Sequence, residues 1–256
     1  FIMRHIKTYQ IFEASAAAPE ELTAEQIDWL NQCTSGSWEL NSSTGLVDVK
    51  GNFNCSSMNL EDLKGIKFGK VDGDFSCANN QLTTLEGAPQ SVGASFFCYG
   101  NQLTTLEGAP QSVGGGFFCN DNQLTTLKGA PQTTRGYFNC YDNRLTTLEG
   151  APQSVGGVFA CDKNQITSLE GAPQEIGWGY SLGFSCSDNP VSEKTLKAIF
   201  ELMLKGMRYQ QALEEYWPKM GDEDRAVMWK QIPDLPLEDA RKYKALGTYA
   251  KIKGYL

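Results

Sequence analysis

A unit of 21 residues returns through the middle of this chain with few changes, and no other feature limits its fold as strongly. Asn-Gln-Leu-Thr-Thr-Leu-Glu-Gly-Ala-Pro-Gln-Ser-Val-Gly begins at Asn80, and near-copies begin at Asn101, Asn122, Asn143 and Asn164, each 21 residues after the last. A unit this short cannot enclose a core alone. It must bury its apolar side chains against the copy before and the copy after, which predicts a solenoid.

The units align on cysteine as Phe-x-Cys-x-x-Asn-x-Leu-Thr-x-Leu. The cysteines are Cys55, Cys77, Cys98, Cys119, Cys140, Cys161 and Cys186, and Phe53, Phe75, Phe96, Phe117, Phe138, Phe159 and Phe184 stand two positions before them. Spacing by two places Phe and Cys on one face of a short strand and the residue between them on the other. The same register in each unit predicts a parallel sheet. Two further apolar positions follow, as in Leu82 and Leu85 or Leu103 and Leu106. Gly and Pro then turn the chain, as at Gly108 and Pro110. Proline fixes φ and lacks an N–H, which predicts an extended outer arc rather than a helix.

This pattern resembles the leucine-rich repeat family. Asn101-Gln-Leu-Thr-Thr-Leu-Glu-Gly-Ala-Pro is most similar to its short bacterial subtype, and the resemblance covers residues 50–190. Phe and Cys replace the leucines usual on the strand. The resemblance implies a right-handed solenoid of about seven coils, in which Asn80, Asn101, Asn122, Asn143 and Asn164 are buried and serve backbone groups between coils. The physics agrees, because a buried amide needs partners and irregular coils leave backbone groups to serve. At the edges, Met58 stands where the asparagine would be. Cys161 and Cys186 are 25 residues apart, so Trp178-Gly-Tyr-Ser-Leu reads as an insertion on the outer side.

Eight cysteines do not predict disulfides here. Seven recur at one inward position with parallel Cβ vectors, a poor geometry for bridging, and Cys packs well as a small hydrophobe. His5 is the only histidine, and there is no Cys-x-x-Cys, so a zinc site lacks ligands. The reading is a reduced thiol ladder in a cytoplasmic setting. The sequence holds no apolar run long enough for a transmembrane helix.

Thr23-Ala-Glu-Gln reads as a capped helix start, followed by a hairpin through Asn41-Ser-Ser-Thr-Gly45. The domains are therefore a leader and linker (1–19), an N-terminal helix–hairpin cap (20–50), the solenoid (51–190) and a C-terminal α-helical module (191–256). In the last, Ser192 caps a helix carrying Leu196, Ile199, Phe200 and Met203 at helical spacing. That module holds 12 Lys/Arg against 10 Asp/Glu, leaving 22 − 12 = 10 basic and 30 − 10 = 20 acidic residues before it. An acidic array argues against nucleic acid.

On a solenoid of this family the strand residues pointing away from the core line the concave face. Its middle coils would present Phe97, Tyr99, Phe118, Tyr137, Asn139 and Tyr141, edged by Asp121, Asp142 and Asp162. Clustered exposed aromatics on a rigid face predict a partner-binding surface. Glu86, Glu107, Glu149 and Glu170 recur as part of the unit and read as a solvated edge, with Lys128 in place of one. No cysteine follows Cys186, so the cysteine ubiquitin-ligase module of some bacterial relatives is not expected.

Near the N-terminus, Lys7-Thr-Tyr-Gln followed by Ile11-Phe-Glu-Ala resembles the capsid-targeting leader of internal head proteins in T4-like tailed phages. That resemblance implies cleavage between Glu13 and Ala14. The expectation is thus an α/β solenoid of leucine-rich repeat type acting as a non-enzymatic protein-interaction module. It would be a monomer with a protein partner and without metal, cofactor, nucleic acid or membrane. The alternative is a head-packaged phage protein found in the virion.

Overall fold

The computed structural model describes residues 21–167, 170–177, 184–186 and 188–190. Glu13 and Ala14, the insertion at Trp178 and the helical module of residues 191–256 lie outside the described residues.

The described chain opens on α1 (Ala24–Cys33). Thr23 Oγ1 accepts from the Gln26 N–H and Gln26 Oε1 accepts from the Thr23 N–H, so two otherwise orphaned donors are satisfied reciprocally. The chain passes directly into β1 (Thr34–Leu40), which pairs antiparallel with β2 (Val47–Asn54). The strands cross at Gly36 opposite Gly51, at φ 127° and 131°. A Cβ on Gly36 would strike the Lys50 carbonyl, and one on Gly51 the Ser35 carbonyl, so both must be glycine.

β2 starts two parallel ladders at once. Its final residues, Phe53 and Asn54, pair with β4 (Phe75–Ser76). That ladder continues through β6 (Phe96–Phe97), β8 (Phe117–Phe118), β10 (Phe138–Asn139), β12 (Phe159–Ala160) and β14 (Phe184–Ser185). Its first residues pair with β3 (Phe68–Val71). The second ladder runs on through β5 (Ser91–Val92), β7 (Ser112–Val113), β9 (Thr133–Thr134), β11 (Ser154–Val155) and β13 (Glu175–Ile176).

The fold is therefore a parallel β-solenoid of about six turns, one fewer than the sequence suggests, because the phenylalanine rungs from Phe53 to Phe184 bound the turns. The described coils contain no helix, which corrects the α/β expectation. The arc after each proline is strand: residues after Pro89, Pro110, Pro131, Pro152 and Pro173 hydrogen-bond coil to coil as the second ladder.

Between the ladders lies a core that repeats itself. Phe53, Phe75, Phe96, Phe117, Phe138, Phe159 and Phe184 form a column of stacked rings with centroids 5.2–5.7 Å apart. Such pairs contribute about 0.5–1.5 kcal/mol each beyond their burial. Trp29 of α1 meets Phe53 edge-on at 5.2 Å, and Phe68 crosses both Phe53 and Phe75. All eight cysteines are free and buried. Several thiols donate to a carbonyl of the next coil, as Cys119 Sγ to Asn139 O at 3.4 Å and Cys140 Sγ to Ala160 O at 3.3 Å.

The asparagine column stitches the turns. Asn143 Nδ2 donates to Cys119 O, Cys140 O and Tyr141 O, and its Oδ1 accepts from the Leu124 N–H at 2.9 Å. Asn80, Asn101, Asn122 and Asn164 repeat the pattern. Asn189 does so too, bonding Cys161 O, Cys186 O and the Ile166 N–H. Each coil after the first, where Met58 takes the place, thus supplies one side chain whose amide satisfies backbone groups of two coils.

Candidate functional site

The outward face of the Phe–Cys ladder carries three rows of side chains. The row between Phe and Cys reads Asn54, Ser76, Phe97, Phe118, Asn139, Ala160 and Ser185, so two aromatic rings lie among shorter side chains. Phe97 and Phe118 lie in register on paired strands and stack at 4.9 Å, with their planes 11° apart. Tyr99 meets the Phe97 ring edge-on at 6.4 Å. The row before Phe contributes Tyr137, which is 45% exposed and one of the two large apolar or aromatic side chains most open to water among the described residues.

Two glycines make room for these rings. A Cβ at Gly116 would stand 2.6 Å from the Phe118 ring, and one at Gly157 would stand 2.5 Å from the Tyr137 ring. The Phe118 and Tyr137 rings therefore lie against bare backbone, and Tyr137 stays 45% exposed. That arrangement lowers their freedom before any partner arrives, so less entropy remains to be lost on binding.

The acidic edge has a local structural cause. Asp121 and Asp142 occupy the second position after Cys, where the backbone is left-handed (φ 53° and 50°). Asn79, Gly100, Lys163 and Asp188 fill the same position in other coils, all at positive φ. Asn, Asp and Gly tolerate that region best, so the turn itself selects these residue types. Both aspartates are exposed, and the Asn120 Nδ2 donates to Asp121 Oδ2 at 2.6 Å. Asp162 is half-buried and accepts from Ser185 Oγ at 2.6 Å. Asn139 Oδ1 accepts from the Tyr141 N–H at 3.0 Å.

Lys163 carries information the sequence did not make obvious. Its Nζ sits over the Tyr141 ring, 4.9 Å from the centroid. The Tyr141 side chain first, then Asp142 and Asp188, hold this exposed ammonium above the ordinary lysine value. The only available signal was spacing: Lys163 lies 163 − 141 = 22 residues after Tyr141, one coil plus one residue.

The structure thus brings Phe97, Tyr99, Phe118, Tyr137, Asn139 and Tyr141 onto one face, with Asp121, Asp142 and Asp162 along its border. The outer glutamates lie elsewhere. Lys128 pairs with Glu107 at 2.8 Å, which explains the one basic residue in that row. A cleft of about 780 Å³ lies at the other end, between Thr23 and Gln26 of the α1 start, Thr44 of the hairpin turn, and Ile66 and Lys67 of the first coil. Among the described residues no group of His, Cys, Asp and Glu is placed to hold a metal, and no helix is long and apolar enough to cross a membrane.

Compared with known proteins, the chain matches no family model, no curated protein and no solved structure.

Proposed function

We propose that this chain is a non-enzymatic interaction module that captures a protein partner on the outward face of its Phe–Cys ladder. The observation that carries the reading is the Phe97–Phe118 stack with Tyr137 beside it, on a face whose other rungs are Asn, Ser and Ala. Aromatic side chains dominate the energy of protein interfaces, and rings held in place before binding lose little entropy. The kinship to leucine-rich repeats is part of the same proposal. It is supported by the asparagine column, whose amides serve adjoining coils. On this reading α1 and the β1–β2 hairpin act as the N-terminal cap, with Trp29 shielding Phe53 from water.

The test is capture from the native source with the immobilised chain, beside a Phe97→Asp, Phe118→Asp double variant. Both side chains are only half-buried, so the variant is expected to keep the wild-type circular dichroism. It should lose the partner by a hundredfold or more, since two anchors at about 2 kcal/mol each are removed. Equal capture by a folded variant would refute the reading.

A further inference from the structure

Tyr99 and Tyr141 occupy the same row two coils apart, and their backbones are held alike. The Tyr99 carbonyl accepts from the Asn79 N–H at 2.8 Å, and the Tyr141 carbonyl accepts from the Asp121 N–H at 3.0 Å. In both cases the residue 22 positions on sits in the left-handed turn of the next coil: Asp121 for Tyr99 (φ 53°) and Lys163 for Tyr141 (φ 48°). At Tyr141 this geometry delivers an ammonium to the ring, with Asp142 next in sequence as a counter-charge. At Tyr99 the same turn carries the exposed carboxylate of Asp121, whose Oδ2 accepts from Asn120 Nδ2, and the residue after Tyr99 is Gly100, which has no side chain. One tyrosine has its cation built in. The other has its ring and, at the matching place in the next coil, an exposed carboxylate instead of an ammonium.

Resting on the interaction reading above, we infer that the Tyr99 ring and Asp121 together receive a lysine or arginine side chain from an extended segment of the partner. Lys163 over Tyr141 is the internal copy of that contact. A cation over a tyrosine ring beside a carboxylate gains both from the ring quadrupole and from charge pairing. Phe97, edge-on to Tyr99 at 6.4 Å, continues the surface toward the Phe118 anchor, so an extended segment would seat apolar residues on the rings and its cation on Tyr99. The acidic balance of residues 1–189 favours a basic partner in the same sense.

The probe is an alternating lysine–threonine peptide, with an alternating glutamate–threonine peptide as control, titrated into the full chain carrying labelled tyrosine rings. The Tyr99 resonance should shift saturably with the lysine peptide and stay still with the glutamate peptide. Asp121→Lys should fill the site from within and weaken the peptide about tenfold. Lys163→Ser should make the Tyr141 resonance respond as well. A Tyr99 resonance indifferent to the lysine peptide, or an Asp121→Lys chain that titrates like wild type, overturns the inference. The two readings fail separately. Loss of partner capture in the Phe97→Asp, Phe118→Asp variant with full capture by Asp121→Lys removes the cation site and leaves the aromatic face standing. Capture that survives the double variant removes the aromatic face itself.

Discussion

The protein is expected to unfold in mild alkali, between about pH 9 and pH 11, far more steeply than a solenoid with an aliphatic core. Burial pushes the thiols of Cys77, Cys98, Cys119, Cys140 and Cys161 far above their ordinary value of 9.0, and neighbouring thiols or Asp162 add to the effect at several rungs. Cys33, nearer the end, is raised to about 11, again by burial first. In the unfolded chain these thiols ionise near pH 9, while in the folded chain they keep their protons. The folded state therefore binds more protons above pH 9, and stability falls as pH rises. Below that pH the contribution is fully present. Once the unfolded thiols are ionised, each fully buried thiol removes about 1.4 kcal/mol per pH unit, so five remove about 7 kcal/mol per pH unit, a large share of the 5–15 kcal/mol typical of a domain. Denaturant titrations from pH 7 to pH 10.5 under reducing conditions measure this directly. A Cys98→Ala, Cys119→Ala, Cys140→Ala chain should start less stable at pH 7 and lose stability with a slope shallower by about 4 kcal/mol per unit. An unchanged slope would show that the thiol column does not govern the transition.

Phe117→Ala is expected to cost about 3–5 kcal/mol and to split the unfolding transition in two. Phe117 has no solvent exposure and stacks on Phe96 at 5.2 Å and Phe138 at 5.3 Å, so truncation opens a void and breaks the ring column at its centre. Solenoid stability is close to a sum of coil and nearest-neighbour contributions. Weakening one central junction should let the coils before and after it melt separately. Calorimetry reads both effects: a lower midpoint, and a calorimetric enthalpy larger than the two-state value. Phe184→Ala, with one described ring neighbour at 5.7 Å, should lower stability less and leave the transition single. A single sharp transition in Phe117→Ala would mean the coils are coupled by more than nearest-neighbour stacking.

The inward register was legible because its signal has period two. Phe-x-Cys can place both side chains in the core only on a strand, and every coil obeys it. The asparagine column was legible in chemistry as well as position, since a recurring amide among buried leucines must have backbone partners. Asn189 was overlooked although it holds the same place, three residues after Cys186, because the 25-residue step from Cys161 hides the period. The second ladder was not legible. Its strands are two residues long with one inward side chain, as in Ser91–Val92, too short for alternation to show. Proline and glycine around it suggest an arc, while coil-to-coil hydrogen bonds make it a sheet. At the candidate site, the aromatic rows followed from the strand register. The aspartates read as charge, whereas their positive φ shows the turn asking for them. The Lys163–Tyr141 contact lies between coils, and a linear reading had no reason to compare residues 22 apart.

The most direct test of the account is the affinity of one captured partner for three chains in parallel. These are wild type, Phe97→Asp with Phe118→Asp, and Thr104→Asp with Thr125→Asp. The threonines are exposed in adjacent coils and belong to none of the three rows that carry the aromatic residues, so they control for added charge. The account predicts that the threonine variant binds like wild type and that the phenylalanine variant loses binding. Binding kept by the phenylalanine variant and lost by the threonine variant would place the functional surface off the aromatic rows and contradict the account.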